Sequence, residues 1–327
     1  MATKWLRTKF LGQGSYGFVF RAECVSSNST RTVAIKSSLQ KSSRSLWLER
    51  AVLYELRGCK EIVHCFVEED FNSIEFDKRF YNIVLEYANG GTFRQLLKSK
   101  GGLLPEYEAS WYACMLLKGL SHVHNKGFVH CDMKPGNVLV FNIPDGECKG
   151  VVKYNLKLAD FGLAKKSGKI SCGAGQQYKY RGTLLYSSPE SVVFGDHEAA
   201  MDIWAFGCMV LEMLLGEGGL WTRFLDVDEE CLGELIANYE DNRLSLLVPK
   251  FESLSVNAKD FVRRCLTTSV KTRWTAEQLL GHPFITHNQD LLKELEAQLS
   301  FKKTMKYQFK TSFSSLFKSS HVSLGVC

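Results

Sequence analysis

The stretch His130-Cys131-Asp132-Met133-Lys134-Pro135-Gly136-Asn137 places a carboxylate, a lysine and a carboxamide on one short loop. Phosphoryl transfer needs these three groups: a carboxylate to accept the proton of the attacking hydroxyl, a cation to offset the charge of the moving group, and an amide oxygen to hold a metal ion. The spacing H-x-D-x-K-x-x-N is specific, but a single match could arise by chance. It predicts a phosphoryl-transfer site only if the remaining parts of such a site occur in the same chain.

Further motifs occur in the order that such a site requires. Near the amino terminus the chain reads Gly12-Gln13-Gly14-Ser15-Tyr16-Gly17-Phe18-Val19, which fits G-x-G-x-x-G-x-V, and Val33-Ala34-Ile35-Lys36 follows. Asp160-Phe161-Gly162 and then Ser188-Pro189-Glu190 come after the loop at 130–137. Each motif alone is weak, but five in one order leave almost no room for coincidence. The chain resembles a protein kinase over roughly Trp5 to Phe284.

Composition agrees with a folded, two-lobed protein and argues against other classes. The chain has 327 residues, 45% of them hydrophobic and 23% charged, which is ordinary for a large buried core. The net charge of +6 is modest, and no basic stretch alternates with aromatics as a nucleic-acid platform would. The longest apolar segment, Ile203 to Leu215, is too short to span a bilayer and contains Glu212, so it predicts a buried helix.

The cysteine pattern indicates whether the protein folds in a reducing or an oxidising compartment. The 11 cysteines form no C-x-x-C pair and no zinc spacing, and Cys114 and Cys208 sit in apolar runs. Buried, reduced thiols are therefore the expectation. The segment from Met1 to Arg7 lacks the apolar core of a secretory signal. We expect a cytoplasmic protein, with the nucleus left open as a second location.

The predicted fold class is α+β, a bilobal kinase fold with a strand-rich lobe at 1–88, a helical lobe at 89–287 and a tail at 288–327. Strands are expected on both sides of the glycine motif, at Thr32–Lys36 and at Tyr81–Tyr87, with a helix at Ser45–Leu56. Helices are expected at Pro105–His124, Leu254–Thr267 and Thr275–Leu280, and a hairpin turn at Ile143–Asn155. The tail is basic and rich in serine and phenylalanine, which is typical of a mobile end, with a docking segment as the alternative.

The resemblance implies an ATP site in the first lobe. The residues that would cover the ATP phosphates are Gly12, Gln13, Gly14, Ser15, Tyr16 and Gly17. Val19, Ala34 and Leu139 would enclose the adenine, Leu85 would be the gatekeeper, and Glu86 and Ala88 would offer backbone hydrogen bonds. Lys36 would contact the α- and β-phosphates, and Glu49 would hold Lys36. Glu55 lies on the same predicted helix and competes with Glu49, but E-x-x-x-L-x-x-L from Glu49 fits the family pattern.

The resemblance also implies the catalytic groups. Asp132 would orient the substrate hydroxyl and accept its proton, while Asn137 and Asp160 would hold Mg²⁺. Lys134, two residues after Asp132, is typical of kinases that phosphorylate serine or threonine, and Thr183 would bond near both. Two supporting contacts are implied as well: Asp202 would brace the catalytic loop, and Arg273 would pair with Glu190.

One residue departs from the family pattern. Cys131 precedes the catalytic aspartate, where many kinases carry an arginine that pairs with an activation-loop phosphate. Either the loop is ordered by packing alone, or its lysines, Lys165 and Lys166 among them, take over the arginine's role.

A narrower resemblance rests on three stretches: 130–134, 202–208 and Arg273-Trp274-Thr275-Ala276-Glu277-Gln278-Leu279-Leu280. They are similar to the small plant mitogen-activated protein kinase kinase kinases of the MEKK type, which phosphorylate mitogen-activated protein kinase kinases. An active kinase outside such a cascade and a catalytically silent scaffold are the alternatives. The sequence predicts no oligomeric state.

Overall fold

A five-stranded antiparallel sheet forms the amino-terminal lobe of the computed structural model, which describes residues 5–14, 17–25, 31–143, 154–168, 181–287 and 290. The strands are β1 (Trp5–Gly14), β2 (Gly17–Cys24), β3 (Thr32–Leu39), β4 (Phe71–Glu75) and β5 (Lys78–Glu86), in the order β1-β2-β3-β5-β4.

Alternation along β3 decides which side chains reach the second lobe. Val33 and Ile35 pack with Ala22 and Val84 in a small cluster on one face of the sheet. Successive strand residues point to opposite faces, so Ala34 and Lys36 point to the other face. Ala34 belongs there to the large apolar cluster that continues into the second lobe. Strand geometry alone therefore directs Lys36 toward the cleft.

Helix α1 (Arg44–Glu55) packs beside this sheet, where the leucine spacing predicts a helix. It buries Leu46, Glu49, Val52 and Leu53, a three-to-four residue repeat that defines one face. A glutamate on that apolar face is unusual, because an ionised side chain is rarely buried unless it is paired. Glu55 is exposed, so the competition between the two glutamates is settled in favour of Glu49.

The second lobe is mostly helical. Its helices are α2 (Phe93–Ser99), α3 (Glu106–Asn125), α4 (Pro189–Phe194), α5 (Ala199–Leu215), α6 (Glu229–Ala237), α7 (Leu244–Leu247), α8 (Val256–Cys265) and α9 (Ala276–Leu280). Helix α5 lies at the centre and buries nearly every side chain, including Trp204 and Phe206. The prediction of a buried helix over Ile203–Leu215 is confirmed, with a start four residues earlier.

Two short antiparallel strand pairs flank the loops that contain the predicted catalytic residues. Strand β6 (Phe128–Val129) pairs with β9 (Lys165–Lys166), and β7 (Val138–Asn142) pairs with β8 (Tyr154–Leu158). The second pair confirms the two short strands expected around a hairpin, although residues 144–153 of that turn lie outside the described residues. The ladders hold 130–137 and 160–162 side by side.

The remaining predictions have mixed outcomes. Cys114 and Cys208 are buried, as expected. The helix predicted at Leu254–Thr267 is shorter at both ends, because Ser255 caps its start and Leu266 leaves helical geometry at its end. No helix in the described part of the chain is long and apolar enough to cross a membrane. Of the predicted tail at 288–327, every residue except Asp290 lies outside the described residues, as do Ser15 and Tyr16 in the glycine loop.

Candidate active site

Lys36 is held between two carboxylates at the boundary of the lobes. Its Nζ lies 2.6 Å from Oε2 of Glu49 and 2.8 Å from Oδ1 of Asp160. Burial alone would lower the pKa of Lys36, but the charges of Glu49 and Asp160 outweigh it and raise that pKa. The ammonium is therefore charged at any physiological pH. The expected pair of Lys36 with Glu49 is confirmed, and it joins β3 to α1.

The carboxyl groups around Lys36 respond to it differently. Burial would raise the pKa of Asp160, but the charge and hydrogen bond of Lys36 lower it below its ordinary value. Glu49 is more deeply buried, and burial raises the pKa of its carboxyl although Lys36 acts in the opposite direction. Asp160 thus remains a carboxylate near the cleft.

Backbone geometry at 160–161 explains how Asp160 reaches the cleft. Asp160 has a left-handed backbone with φ 62° and ψ 67°, which only a few residue types, aspartate among them, tolerate well. This conformation lets Asp160 point to Lys36 while Phe161, fully buried, packs near His130 with ring centroids 4.6 Å apart. A buried phenylalanine therefore fixes the direction of the neighbouring carboxylate.

Asp132 receives three hydrogen bonds from side chains of its surroundings. Its Oδ1 accepts from Oγ1 of Thr183 at 2.8 Å, and its Oδ2 accepts from Nδ2 of Asn137 at 2.8 Å. Nζ of Lys134 lies 2.9 Å from that Oδ2 and 2.7 Å from Oγ1 of Thr183. The predicted meeting of Thr183 with Asp132 and Lys134 is confirmed. The carboxylate is thereby fixed in orientation, although its side chain is still 11% exposed.

The backbone of this loop is braced from α5. Oδ2 of Asp202 accepts from the backbone N–H of His130 at 2.8 Å, and Oδ1 accepts from that of Cys131 at 2.9 Å. Nε2 of His124 approaches the same Oδ2 at 2.9 Å. The brace predicted for Asp202 is confirmed. It holds Cys131 at φ 66°, a strained value for a side chain with a Cβ.

His130 adds a second brace from within the loop. Its Nδ1 accepts the backbone N–H of Asp132 at 3.2 Å, so Nε2 carries the proton and donates to the carbonyl of Ala159 at 3.0 Å. Both ring nitrogens of this buried imidazole are thus used in hydrogen bonds to the backbone. The His130 ring therefore ties the loop of Asp132 to the strand that leads to Asp160.

The donors present fit a magnesium ion bound together with a nucleotide. Asn137 uses its Nδ2 for Asp132, which leaves its Oδ1 without a hydrogen bond among the described residues. Asp160 supplies carboxylate oxygens nearby. Among the described residues no group of three or more His, Cys, Asp or Glu side chains could hold a metal by itself. Mg²⁺ prefers oxygen ligands and keeps waters, so two protein oxygens completed by phosphates suit it.

The residues expected around adenine come together in one apolar cluster. Ala34 and Leu85 are paired neighbours on β3 and β5, and both belong to this cluster. Val19 from β2 and Leu139 from β7 pack against it, half-buried, from the two lobes. The side chain of Glu86 is tied to Lys157 at 2.7 Å, and Ala88 follows, half-buried, in the joint.

The described glycines of the loop differ in what surrounds them. A Cβ on Gly12 or Gly14 would meet nothing within 4 Å, so the space above them is open. A Cβ on Gly17 would lie 2.1 Å from the carbonyl oxygen of Ser37, so only glycine fits there. Gln13 lies in β1 beside them and pairs with Phe18. Gly17 is thus required by the fold, and the other two leave room for a ligand.

Two sets of contacts beside the site are not predicted by any motif in the sequence. Tyr186 donates to Oε2 of Glu212, at 2.7 Å, and Arg94 donates to the same hydroxyl at 3.2 Å. Glu198 bonds to Lys165 and to residues after it. These contacts join positions 26 to 92 residues apart, which no motif spacing could connect.

Comparison with known proteins agrees with this geometry. A family model described as a protein kinase domain matches residues 5–285. The chain is 35% identical to mitogen-activated protein kinase kinase kinase 20 of Arabidopsis thaliana, over 86% of this chain and 78% of that protein. It is 33% identical to kinase kinase kinase 17 of the same plant, over 88% and 71% respectively. The chain belongs to the protein kinase family, and it resembles the plant mitogen-activated protein kinase kinase kinases, which supports the serine/threonine type.

Proposed function

We propose that the protein transfers the γ-phosphate of ATP to serine or threonine of a protein substrate, and that this substrate is a mitogen-activated protein kinase kinase. The observation that carries the proposal is the carboxylate of Asp132, held by Thr183 and Lys134 at the edge of the cleft that Lys36 and Asp160 enter. These groups supply the positions that phosphoryl transfer requires.

Each side chain has a distinct part in this reaction. Asp132 would accept a hydrogen bond from the substrate hydroxyl, orient it for attack and take its proton. Lys134, 2.9 Å from Asp132, would offset negative charge beside the attacking oxygen. Lys36 would bind the α- and β-phosphates while Glu49 holds its ammonium in place. Because these groups are already oriented by bonds inside the protein, little reorganisation is needed when substrate binds.

The nucleotide would lie between the lobes. Gly12, Gln13, Gly14, Ser15, Tyr16 and Gly17 would cover its phosphates, Val19, Ala34, Leu85 and Leu139 would enclose adenine, and Glu86 and Ala88 would bond to its edge through the backbone. Asn137 and Asp160 would hold Mg²⁺, which would supply positive charge against the negative charge of the phosphates.

The substrate class rests on the relatives. These relatives are named mitogen-activated protein kinase kinase kinases, and the similarity covers most of this chain and most of each of them. Lys134 and its bond to Thr183 are consistent with serine or threonine as acceptor. A cytoplasmic location, with the nucleus as second compartment, fits such a role and remains part of the proposal.

A substrate panel tests this function. The purified chain is incubated with labelled ATP, Mg²⁺ and catalytically inactive mitogen-activated protein kinase kinases, with a generic basic protein as comparison. We expect label on serine or threonine, faster for at least one kinase kinase than for the generic protein. Label on the generic protein alone would place the enzyme outside such a cascade. No label on any substrate, with Mg²⁺ or Mn²⁺, would favour the scaffold.

A further inference from the structure

Glu198 occupies the position before helix α5 but does not cap it. Its side chain makes no bond to the helix start and turns instead to the segment after Asp160-Phe161-Gly162. Oε1 accepts from Nζ of Lys165 at 2.9 Å and from the backbone N–H of Gly168 at 3.0 Å. Oε2 accepts from the hydroxyl of Ser167. One carboxylate thus binds three donors within four consecutive residues.

These bonds are strong enough to determine the state of the carboxyl group. Burial would raise the pKa of Glu198, but the hydrogen bonds of Ser167, Lys165 and Gly168 together lower it below its ordinary value. The side chain of Lys165 is only 10% exposed, so its ammonium would be costly to leave unpaired. The pair is therefore a fixed ionic contact at neutral pH.

The segment that Glu198 holds is directly joined to the catalytic loop. Lys165 lies opposite Val129 in the ladder of β6 and β9, and the backbone N–H of Ser167 donates to the carbonyl of Gly127 at 2.9 Å. His130 follows β6 without a break. Four residues beyond Glu198, on the first turn of α5, Asp202 accepts the backbone N–H groups of His130 and Cys131. Two acidic residues at the start of α5 thus bind both sides of this ladder: Glu198 binds Lys165 of β9, and Asp202 binds the backbone that follows β6.

At this place Cys131 replaces the arginine that usually binds an activating phosphate, while the positive charges of Arg181 and Lys165 act on its thiol. Cys131 is 2% exposed and uncharged, and burial raises the pKa of its thiol. Lys165, one of the lysines that could have replaced the arginine, is already paired with Glu198. Lys166 lies over the ring of Phe128, with Nζ 5.4 Å from the centroid. The carboxylate of Glu198 thus gives Lys165 a negatively charged partner from within the protein.

We propose that Glu198 is a positioning residue whose permanent carboxylate fastens residues 165–168 to the start of α5 and so holds the catalytic loop in its working geometry without a phosphate. The expected effect on kcat rests on the proposed kinase function, whereas the expected effect on the structure of residues 165–168 does not. Glu198 acts through Lys165 and the ladder and touches no reacting group.

Kinetics with three variants test the positioning role. Glu198→Ala removes charge and acceptors, whereas Glu198→Gln keeps an acceptor and removes charge. Glu252→Ala is the matched control, since Glu252 also accepts from a serine hydroxyl and a lysine, Ser245 and Lys259, but on the outer face of the second lobe. We expect kcat to fall about tenfold to a hundredfold for Glu198→Ala, given the strength of hydrogen bonds to charged groups. The decrease should be smaller for Glu198→Gln.

Three further kinetic results follow from the same reasoning. KM for ATP should change less than about twofold in the Glu198 variants, because the contacts described for Glu198 are with residues 165–168 and not with the residues assigned to ATP. Lys165→Met combined with Glu198→Ala should lose little more than Glu198→Ala alone, since the contact with Lys165 is one of the three that Glu198→Ala removes. Wild-type activity should survive phosphatase treatment. Additive losses, a loss after phosphatase or wild-type kcat in Glu198→Ala would each overturn the proposal.

Hydrogen exchange supplies a readout that does not need activity. In Glu198→Ala the amide of Gly168, and the peptide 165–168, should exchange at least about tenfold faster than in the wild type or in Glu252→Ala. Unchanged exchange at these amides would overturn the proposal even if activity fell. If the wild type transfers no phosphate at all, the proposed function fails, and the exchange result still decides whether Glu198 fastens the segment.

Discussion

Arg273 offers the sharpest test of how the second lobe is held together. Its guanidinium forms two parallel bonds to Glu190, NH1 to Oε1 at 2.5 Å and NH2 to Oε2 at 2.9 Å, and the Arg273 side chain is 0% exposed. Nε also donates to the carbonyl of Thr267 at 2.9 Å, and NH1 to that of Ala200 at 2.9 Å. This one side chain therefore joins α4 to α5 and to the turn after α8.

Replacing Arg273 by methionine should cost about 3–5 kcal/mol of unfolding free energy, because the carboxylate of Glu190 is left buried and unpaired. Urea unfolding followed by tryptophan fluorescence measures this directly, since the ring of Trp204 lies 5.1 Å from the guanidinium. Arg243→Met is the control: its pair with Glu240 is 3.3 Å long and more than half exposed on both sides, so less than about 1 kcal/mol should be lost.

A double variant separates the charge from the packing. Adding Glu190→Leu to Arg273→Met removes the unpaired carboxylate, so the double variant should be less destabilised than the sum of the single changes. A loss below about 1 kcal/mol for Arg273→Met, equal to that of Arg243→Met, would refute the claim that this buried pair stabilises the lobe.

The other predictions concern the site, the acid response and the tail. Lys36→Met should abolish transfer and leave the fold intact by circular dichroism; wild-type activity would mean that Lys36 is misassigned. Burial alone would raise the pKa of Asp202, but the bonds from His124 and from the loop backbone lower it below its ordinary value. The stabilisation by this carboxylate is therefore present above the ordinary pKa of aspartate and is lost as the pH falls through the lowered pKa. Asp202→Asn should therefore flatten the loss of stability below about pH 5, and an unchanged slope in acid would contradict this. Truncation after His287 should leave activity on a generic peptide unchanged, and an inactive product would move the domain boundary.

Local patterns in the sequence predict the elements that bear the site. The glycine motif and the β-branched run at Thr32–Lys36 mark β1 to β3, and Leu46 and Leu53 mark the face of α1 that also carries Glu49. The motif spacing brings Asp132, Asn137 and Asp160 to two adjacent loops. These features follow from chemistry encoded within a few residues.

Long-range contacts could not be predicted in the same way. The strand β4, the helix α6 and the two-residue ladder of β6 and β9 carry weak local signals and depend on what they pack against. Glu198 reads as a surface charge before an apolar helix, and only the fold brings Lys165 within 2.9 Å of it. Arg94 and Glu212 meet at the hydroxyl of Tyr186 for the same reason.

Phosphate transfer by Asp132→Asn measures the central claim most directly. The wild type and the variant are compared with labelled ATP, Mg²⁺ and a protein substrate, with thermal unfolding to show that both are folded. We expect phosphoserine or phosphothreonine at on the order of 1–100 turnovers per second for the wild type. In the variant the rate should fall by about a hundredfold to ten-thousandfold. Wild-type turnover in a folded Asp132→Asn variant, or phosphotyrosine as the only product, would contradict the account.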